Sequence, residues 1–132
     1  MASKGASVVL TYNSESSAVQ AQKLATDLEA RHSARCLPVQ ADISRSKGSE
    51  VLLQTIKEHF DSGCAETPLQ IDIIVNNAGV VSNALIEHMY RANVLEPLLL
   101  IQATLPLLPH DRTTRIVDLS SISSTEGFVD NQ

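Results

Sequence analysis

The sequence predicts an α/β fold built on a parallel sheet, and three observations carry that expectation. Short β-branched, apolar runs alternate with longer stretches whose apolar residues recur at helical spacing. Each of the four short runs ends in small polar residues, the composition of tight strand-to-helix turns. The third run is apolar on both faces apart from Asp72, as a strand buried inside a parallel sheet would be.

Taken in order, Ser7-Val8-Val9-Leu10-Thr11-Tyr12 reads as the first strand, stopped by Asn13-Ser14, a turn and N-cap pair. Residues 15–31 place Ala18, Ala21, Leu24, Ala25 and Leu28 on one side of a helix. Residues 36–40 form a second strand, and Pro38 marks it as an edge. An amphipathic helix follows over 47–60 through Val51, Leu52, Ile56 and Phe60, then a loop over 61–70. Ile71 to Val75 is the third strand. Residues 87–108 are a Leu-rich helix, with Pro97 as its kink and Pro106 as its stop. Arg115 to Leu119 is the fourth strand, running into the hydroxyl cluster Ser120, Ser121, Ser123 and Ser124. This order implies right-handed βαβ crossovers, and there is no internal repeat.

The bulk numbers exclude several functions. A length of 132 residues suits one domain. A net charge of −5 with no basic run argues against nucleic acid, since phosphate binding needs clustered Lys and Arg. No Trp, two Tyr and two Phe leave few platforms for stacking bases. No apolar run reaches bilayer length and the N-terminus lacks a signal-peptide pattern, so no membrane partner and a cytoplasmic location are expected. Cys36 and Cys64 lack CxxC spacing and read as idle thiols in a reducing compartment. His32, His59, His88 and His110 are scattered without metal-ligand spacing and read as surface residues.

Ligands of open parallel sheets sit beyond the carboxyl ends of the strands. Here that edge carries Tyr12-Asn13-Ser14, Asp42, Asn76-Asn77-Ala78-Gly79 and Ser120-Ser121. Asn76 and Asn77 bring amides that can tie adjacent strand ends, while Ala78 and Gly79 let a ribose approach the backbone. Asp42 can accept from an adenine amino group or, on the plainer reading, serve as a helix N-terminal acid. Asn93 is unfavourable inside a helix unless it has a duty; otherwise it faces solvent.

Asp72-Ile73-Ile74-Val75-Asn76-Asn77-Ala78-Gly79 resembles the strand-plus-NNAG motif of short-chain dehydrogenases/reductases. Arg91-Ala92-Asn93-Val94 resembles that family's helical NxV element, Ala41-Asp42-Ile43 its acidic turn, and Arg115 to Ser123 its catalytic-serine strand. The matches occur in family order across essentially the whole chain. The resemblance implies a single partial NAD(P)-binding domain over 1–132. Its fold would be a three-layer, Rossmann-like parallel sheet with helices on both faces, lacking the first strand and the C-terminal strands. It assigns Ser121 to the hydrogen bond on a substrate carbonyl (Ser120 if the register shifts by one) and Asn93 to a water in a proton relay. A serine-hydrolase reading is weaker, because no Gly-x-Ser-x-Gly elbow surrounds these serines. Cofactor contacts fall to Tyr12, Asn13, Ser14, Asp42, Ile43 and Asn76 to Gly79. Tyr12, Asn13 and Ser14 are neutral where NAD-preferring folds place an acid, which implies NADP(H), although Glu15 close by would repel a phosphate.

The same resemblance identifies what this sequence lacks. It has no glycine-rich TGxxxGxG turn; Met1 to Ala6 looks like the end of the helix that follows such a turn. Gly79 to Asn93 is shorter than in the family by about two helical turns, so Asn93 is expected to be displaced. Neither Tyr12 nor Tyr90 has a lysine four residues on, so no Tyr-x-x-x-Lys is present. In the family's sheet another strand lies between the runs 7–12 and 71–75, and without it both expose unpaired backbone. The expectation is a carbonyl/alcohol oxidoreductase scaffold that binds NADP(H) weakly and is inactive alone, with the Leu-rich face of 94–108 open to self-association. The alternative is a non-catalytic binding or dimerisation module on the same scaffold. A flavodoxin-like or receiver-like domain ranks behind both, because Asp42 is the only acid at a strand end.

Overall fold

Strands and helices follow the expected order in a computed structural model that describes residues 1–43, 45, 47–60, 68–80, 86–111 and 113–121. β1 is Val8–Tyr12, α1 Glu15–His32, β2 Cys36–Gln40 and α2 Gly48–Phe60. β3 is Ile73–Asn76 and β4 Arg115–Asp118. The Cys64, Ser123 and Ser124 positions and most of the 61–70 loop lie outside the described residues. A 3-10 turn over Ala2–Lys4 precedes β1 and is closed by Gly5 at φ 85°, a left-handed conformation that costs glycine little.

The long helix is not continuous. α3 (Ile86–Tyr90) passes into a π-helical turn over Arg91–Leu95, then α4 (Glu96–Thr104) and a 3-10 turn at Leu105–Leu107. Pro97 explains the break. It has no N–H to return to the carbonyl of Asn93 four residues back, and its ring crowds that carbonyl, so the backbone widens just before it. The disturbance expected at Pro97 therefore takes the form of a π turn on its N-terminal side, while the helical stop falls at Pro106.

Pairing is parallel throughout but splits into two ribbons. β1 pairs with β2 from Val8↔Cys36 to Tyr12↔Gln40, and β3 pairs with β4 from Ile73↔Arg115 to Asn76↔Asp118. Among the described residues no strand joins β1 to β3. The third strand begins two residues later than its apolar run. The Ile71 N–H donates to the Leu107 carbonyl at 2.8 Å, so the entry to β3 bonds to the end of the α4 segment instead of to a strand. Its burial also differs from expectation: Ile74 is buried, but Ile73 is 43% exposed and Val75 41%. An apolar composition does not bury a strand that has a neighbour on one edge only.

Two clusters hold the layers. Val8 and Leu10 pack with Leu28 of α1 against Ala2, Ala25, Ala34 and Cys36. On the other face Val9 packs against Val39, Ala41, Leu52, Leu53 and Ile56, and Leu69, Ile71, Leu100 and Ala103 join the same cluster. α1 thus covers one side of the β1–β2 ribbon, and α2 covers the other while reaching α4. Each buried Leu or Ile of α2 contributes about 1.5–3 kcal/mol. Burial, and secondarily Glu29, pushes the Cys36 thiol up, which leaves it a poor nucleophile at neutral pH. Before β4, the Asp111 carboxylate accepts from the Thr113 hydroxyl at 2.7 Å and its N–H at 3.0 Å; these bonds hold the Asp111 carboxyl below its usual range. Among the described residues no helix is long and apolar enough to cross a membrane.

Gly48 fixes the passage from β2 into α2. A Cβ at this position would overlap the Asp42 carbonyl and crowd the Ile43 Cα, both backbone, which cannot swing aside as a side chain would. Gly48→Ala is expected to destabilise the chain by about 1–3 kcal/mol, the usual range for overpacking, despite alanine's better helix propensity. Urea unfolding of the two proteins measures it, and equal midpoints would contradict the close approach.

Candidate functional site

The carboxyl ends of the strands form two rims, one on each ribbon. On the first, the Tyr12 carbonyl accepts from the Ala41 N–H at 2.9 Å, which sets Tyr12 beside Ala41-Asp42. Ser14 is the N-cap residue of α1, but its hydroxyl bonds the hydroxyls of Ser16 and Ser17 at 2.9 and 3.1 Å instead of a backbone N–H. Asn13 and Glu15 are exposed, and Glu15 opens α1.

Asp42 is already engaged. The Arg45 Nε donates to its Oδ2 at 2.9 Å, and the Arg45 N–H donates to its carbonyl at 3.1 Å. With Arg45 largely exposed the pair contributes at most about 1 kcal/mol. Its electrostatic effect matters more, because it brings a guanidinium to a rim that otherwise carries only the carboxylates of Asp42 and Glu15. The spacing of three between Asp42 and Arg45 is the sequence signal for this pair. Ile43 is half-buried against the α2 cluster, so its contribution at this edge is packing.

On the second rim, the Asn76 Nδ2 donates to the Asp118 Oδ1 at 2.7 Å, and the Leu119 N–H donates to the Asn76 carbonyl at 3.0 Å. Asn76 therefore ties the ends of β3 and β4. Asn77, Ala78 and Gly79 leave the strand exposed. Among the described residues a Cβ on Gly79 would meet only the Asn93 Oδ1, at 3.5 Å, an ordinary contact distance. Ser120 and Ser121 follow β4 at the same edge, both exposed.

Asn93 holds this rim to the helix. Its Oδ1 accepts from the Val80 N–H at 2.8 Å and its Nδ2 donates to the Val80 carbonyl at 2.9 Å. The short connection does not keep Asn93 away from the NNAG segment. It is exposed, yet it is not an idle solvent-facing polar group, and it sits in the π turn. Four residues on, Pro97 cannot engage its main-chain carbonyl.

Glu96 was not anticipated as a special residue. Its side chain is 1% exposed, and its Oε1 lies 3.6 Å from the Arg91 Nη1, too far for a hydrogen bond, with no other partner among the described residues. The visible signal was an acid lodged in an otherwise apolar run, Val94-Leu95-Glu96-Pro97-Leu98. The four histidines are exposed, and no three potential metal ligands converge among the described residues.

The family model for short chain dehydrogenase matches residues 1–131. An L-xylulose reductase from Aspergillus niger is 39% identical over 97% of this chain, and an L-xylo-3-hexulose reductase from Hypocrea jecorina is 34% identical over 98%. The chain spans about half the length of these curated relatives, 48% in each case. Among solved structures, an L-sorbose reductase from Gluconobacter frateurii complexed with NADPH and L-sorbose superposes with a TM-score of 0.76 at 22% identity, over 96% of this chain and 47% of that one. A short chain dehydrogenase from Burkholderia cenocepacia in complex with NADP gives 0.76 at 26% identity, over 95% of this chain and 49% of that one.

The Asn93 clamp makes a measurable demand on the loop. Asn93→Asp keeps the acceptor for the Val80 N–H but loses the donor to its carbonyl, whereas Asn93→Ala loses both. With exposed bonds contributing about 0.5–1 kcal/mol each, amide exchange at Val80 should quicken roughly five- to thirtyfold in Asn93→Ala and about two- to fivefold in Asn93→Asp. Unchanged exchange in both would mean that the clamp does not hold the segment.

Proposed function

The chain belongs to the short-chain dehydrogenase family, and from that premise we propose that it serves NADP(H)-dependent interconversion of a small-molecule carbonyl and its alcohol, with a ketose as the carbonyl. The observation that carries this reading is the second rim. Asn93 fixes the backbone beyond β3, Asn76 locks β3 to β4, and the Ser120-Ser121 pair leaves β4 at the same edge. The ketose is supported by relatives named for reduction of L-xylulose and L-xylo-3-hexulose, and by a structural neighbour bound to L-sorbose.

The roles follow from the chemistry of the groups. The Ser121 hydroxyl donates to the substrate oxygen and polarises the carbonyl. The main-chain carbonyl of Asn93, which Pro97 cannot occupy, holds a water on the path of the proton. Asn77, Ala78 and Gly79 line the ribose with little bulk, and Asp42 with Ile43 bounds the adenine. Tyr12, Asn13 and Ser14 carry no acid of their own, and with the Arg45 guanidinium held on Asp42 they suit a 2′-phosphate better than a bare hydroxyl. When bound, the reduced nicotinamide supplies the hydride. This sequence offers no glycine-rich cradle for the pyrophosphate and no Tyr-x-x-x-Lys to deliver the proton. A missing proton donor alone costs on the order of a hundred- to ten-thousand-fold in rate, so the chain by itself binds NADPH weakly and does not turn over.

The exposed side of the α4 segment supports one more element of the proposal. Leu98 is 58% and Leu105 55% exposed, with Val94 and Leu99 also open. We assign this apolar stripe to self-association.

Two experiments test these readings. In a thermal-shift titration the chain alone should show no rise in Tm with millimolar NADPH; a rise of several degrees would overturn the weak-binding claim. Joined to a glycine-rich strand-turn unit before residue 1 and a Tyr-x-x-x-Lys segment after residue 132, it should oxidise NADPH with L-xylulose. Ser121→Ala should then lower kcat by about a hundred- to a thousandfold. Ketose-independent oxidation, or an indifferent Ser121→Ala, would refute the assignment. For the stripe, Leu98→Glu should convert a dimer to a monomer in sedimentation velocity, and a wild-type monomer would refute it.

A further inference from the structure

The proposed chemistry leaves Glu96 without a duty, yet its placement is costly. It lies one turn ahead of Leu100, which packs in the α2 cluster, and its side chain is 1% exposed. A carboxylate taken out of water needs a partner. Among the described residues the one cation in ion-pair range is Arg91, whose Nη1 lies 3.6 Å from the Glu96 Oε1, and no hydrogen bond satisfies that oxygen. Arg91 is itself only half-exposed, so water screens the contact in part.

The same two residues are joined through the main chain. The Glu96 N–H donates to the Arg91 carbonyl, five positions back, which closes the π turn. This coincidence has a geometric cause. At 3.6 residues per turn, positions five apart on an α-helix are separated by about 140°, and their side chains do not meet. A turn closed by an i→i+5 bond brings the fifth residue back beneath the first. The Arg91–Glu96 pair is therefore made in the π register and lost in the α register. An interaction present in one state only shifts the equilibrium toward that state. Pro97 accounts for a break but not for this choice: it withholds a donor from the Asn93 carbonyl, which a simple kink would accommodate as well, and the widened turn opens already at Arg91.

We propose that Arg91 and Glu96 form a register lock, an ion pair that holds Arg91–Leu95 in π form and thereby positions Asn93 against Val80. α4 is anchored beyond the turn, because Leu100 and Ala103 pack in the cluster around α2. Closing the turn to α geometry would rotate the residues before it by one position, about 100°, relative to that anchor. Asn93 lies inside the turn, so its side chain would swing off the Val80 N–H and carbonyl that it now bonds. Arg91 and Glu96 are positioning residues, acting on the site through Asn93. The lock deepens the proposed carbonyl chemistry and rests on that reading for its purpose alone, since the Asn93 main chain that it sets is the one assigned to the proton path.

Urea unfolding and amide exchange at Val80, both on the full chain, separate a lock from a pair that merely adds stability. Arg91→Ala strands the Glu96 carboxylate without its cation, so the urea midpoint should fall and Val80 exchange should quicken at least about fivefold. Adding Glu96→Leu removes the stranded charge. In Arg91→Ala/Glu96→Leu the midpoint should return to the parent value or exceed it, while Val80 exchange stays at least about fivefold faster than in the parent. Arg91→Lys keeps the charge, and because the contact is not a bidentate hydrogen bond it should hold Val80 exchange within about twofold of the parent. Parent-like Val80 exchange in the double variant would overturn the proposal, since burial at position 96 would then suffice to set the turn. So would a loss of protection in Arg91→Lys equal to that in Arg91→Ala. Neither measurement depends on turnover, so a failed ketose assay and a failed lock give different results.

Discussion

A β-strand has two hydrogen-bonding edges, and among the described residues β1 and β3 each fill only one. The rest of the structure depends on how the chain lives with that constraint. Backbone donors and acceptors that leave water must find partners, so a strand with one neighbour stays half open to solvent. Hence Val75 and Ile73 are exposed despite a composition suited to a buried strand. In place of a continuous sheet, α2 connects the halves. Leu52, Leu53 and Ile56 pack against Val39 and Ala41 of the first ribbon, and the same cluster takes in Leu69 and Ile71 at the entry to β3 and Leu100 of α4. The relative position of the two ribbons rests on side-chain packing, which is non-directional, and not on a ladder of main-chain bonds.

The elements were legible in the sequence wherever local physics decides them. Strand-forming runs, helical periodicity and the Pro97 disturbance all lie within a few residues of their observed places. The parallel α/β class and its family are likewise confirmed, and both were written in the order of the motifs. Burial was less legible, because it depends on what lies beside a strand in space. Ile71 illustrates the limit: by composition it belongs to β3, yet its N–H goes to Leu107, a partner thirty-six positions away that no local pattern reveals. Asn93 is the reverse case. Its poor fit to a helix interior announced a special duty, but the partner, the Val80 backbone, emerged only from coordinates. Arg45 and Glu96 are not legible in the same way, because a charge beside a turn and an acid within a leucine run each have an ordinary explanation.

Asn93 and Pro97 act as one device. Proline removes the donor that would have claimed the Asn93 carbonyl, and the π turn turns the asparagine side chain toward the strand-exit loop rather than along the helix. The bonds to the Val80 N–H and C=O hold the side chain against the strand-exit loop.

The two rims are built independently. Tyr12 to Ala41 and Asp42 to Arg45 belong to the first ribbon; Asn76 to Asp118 is made within the second, and Asn93 to Val80 joins the second to its helix. Each rim can hold its own geometry without the other. The separation of the rims is set by the α2 cluster, in which Leu52, Leu53 and Ile56 pack with residues of both ribbons.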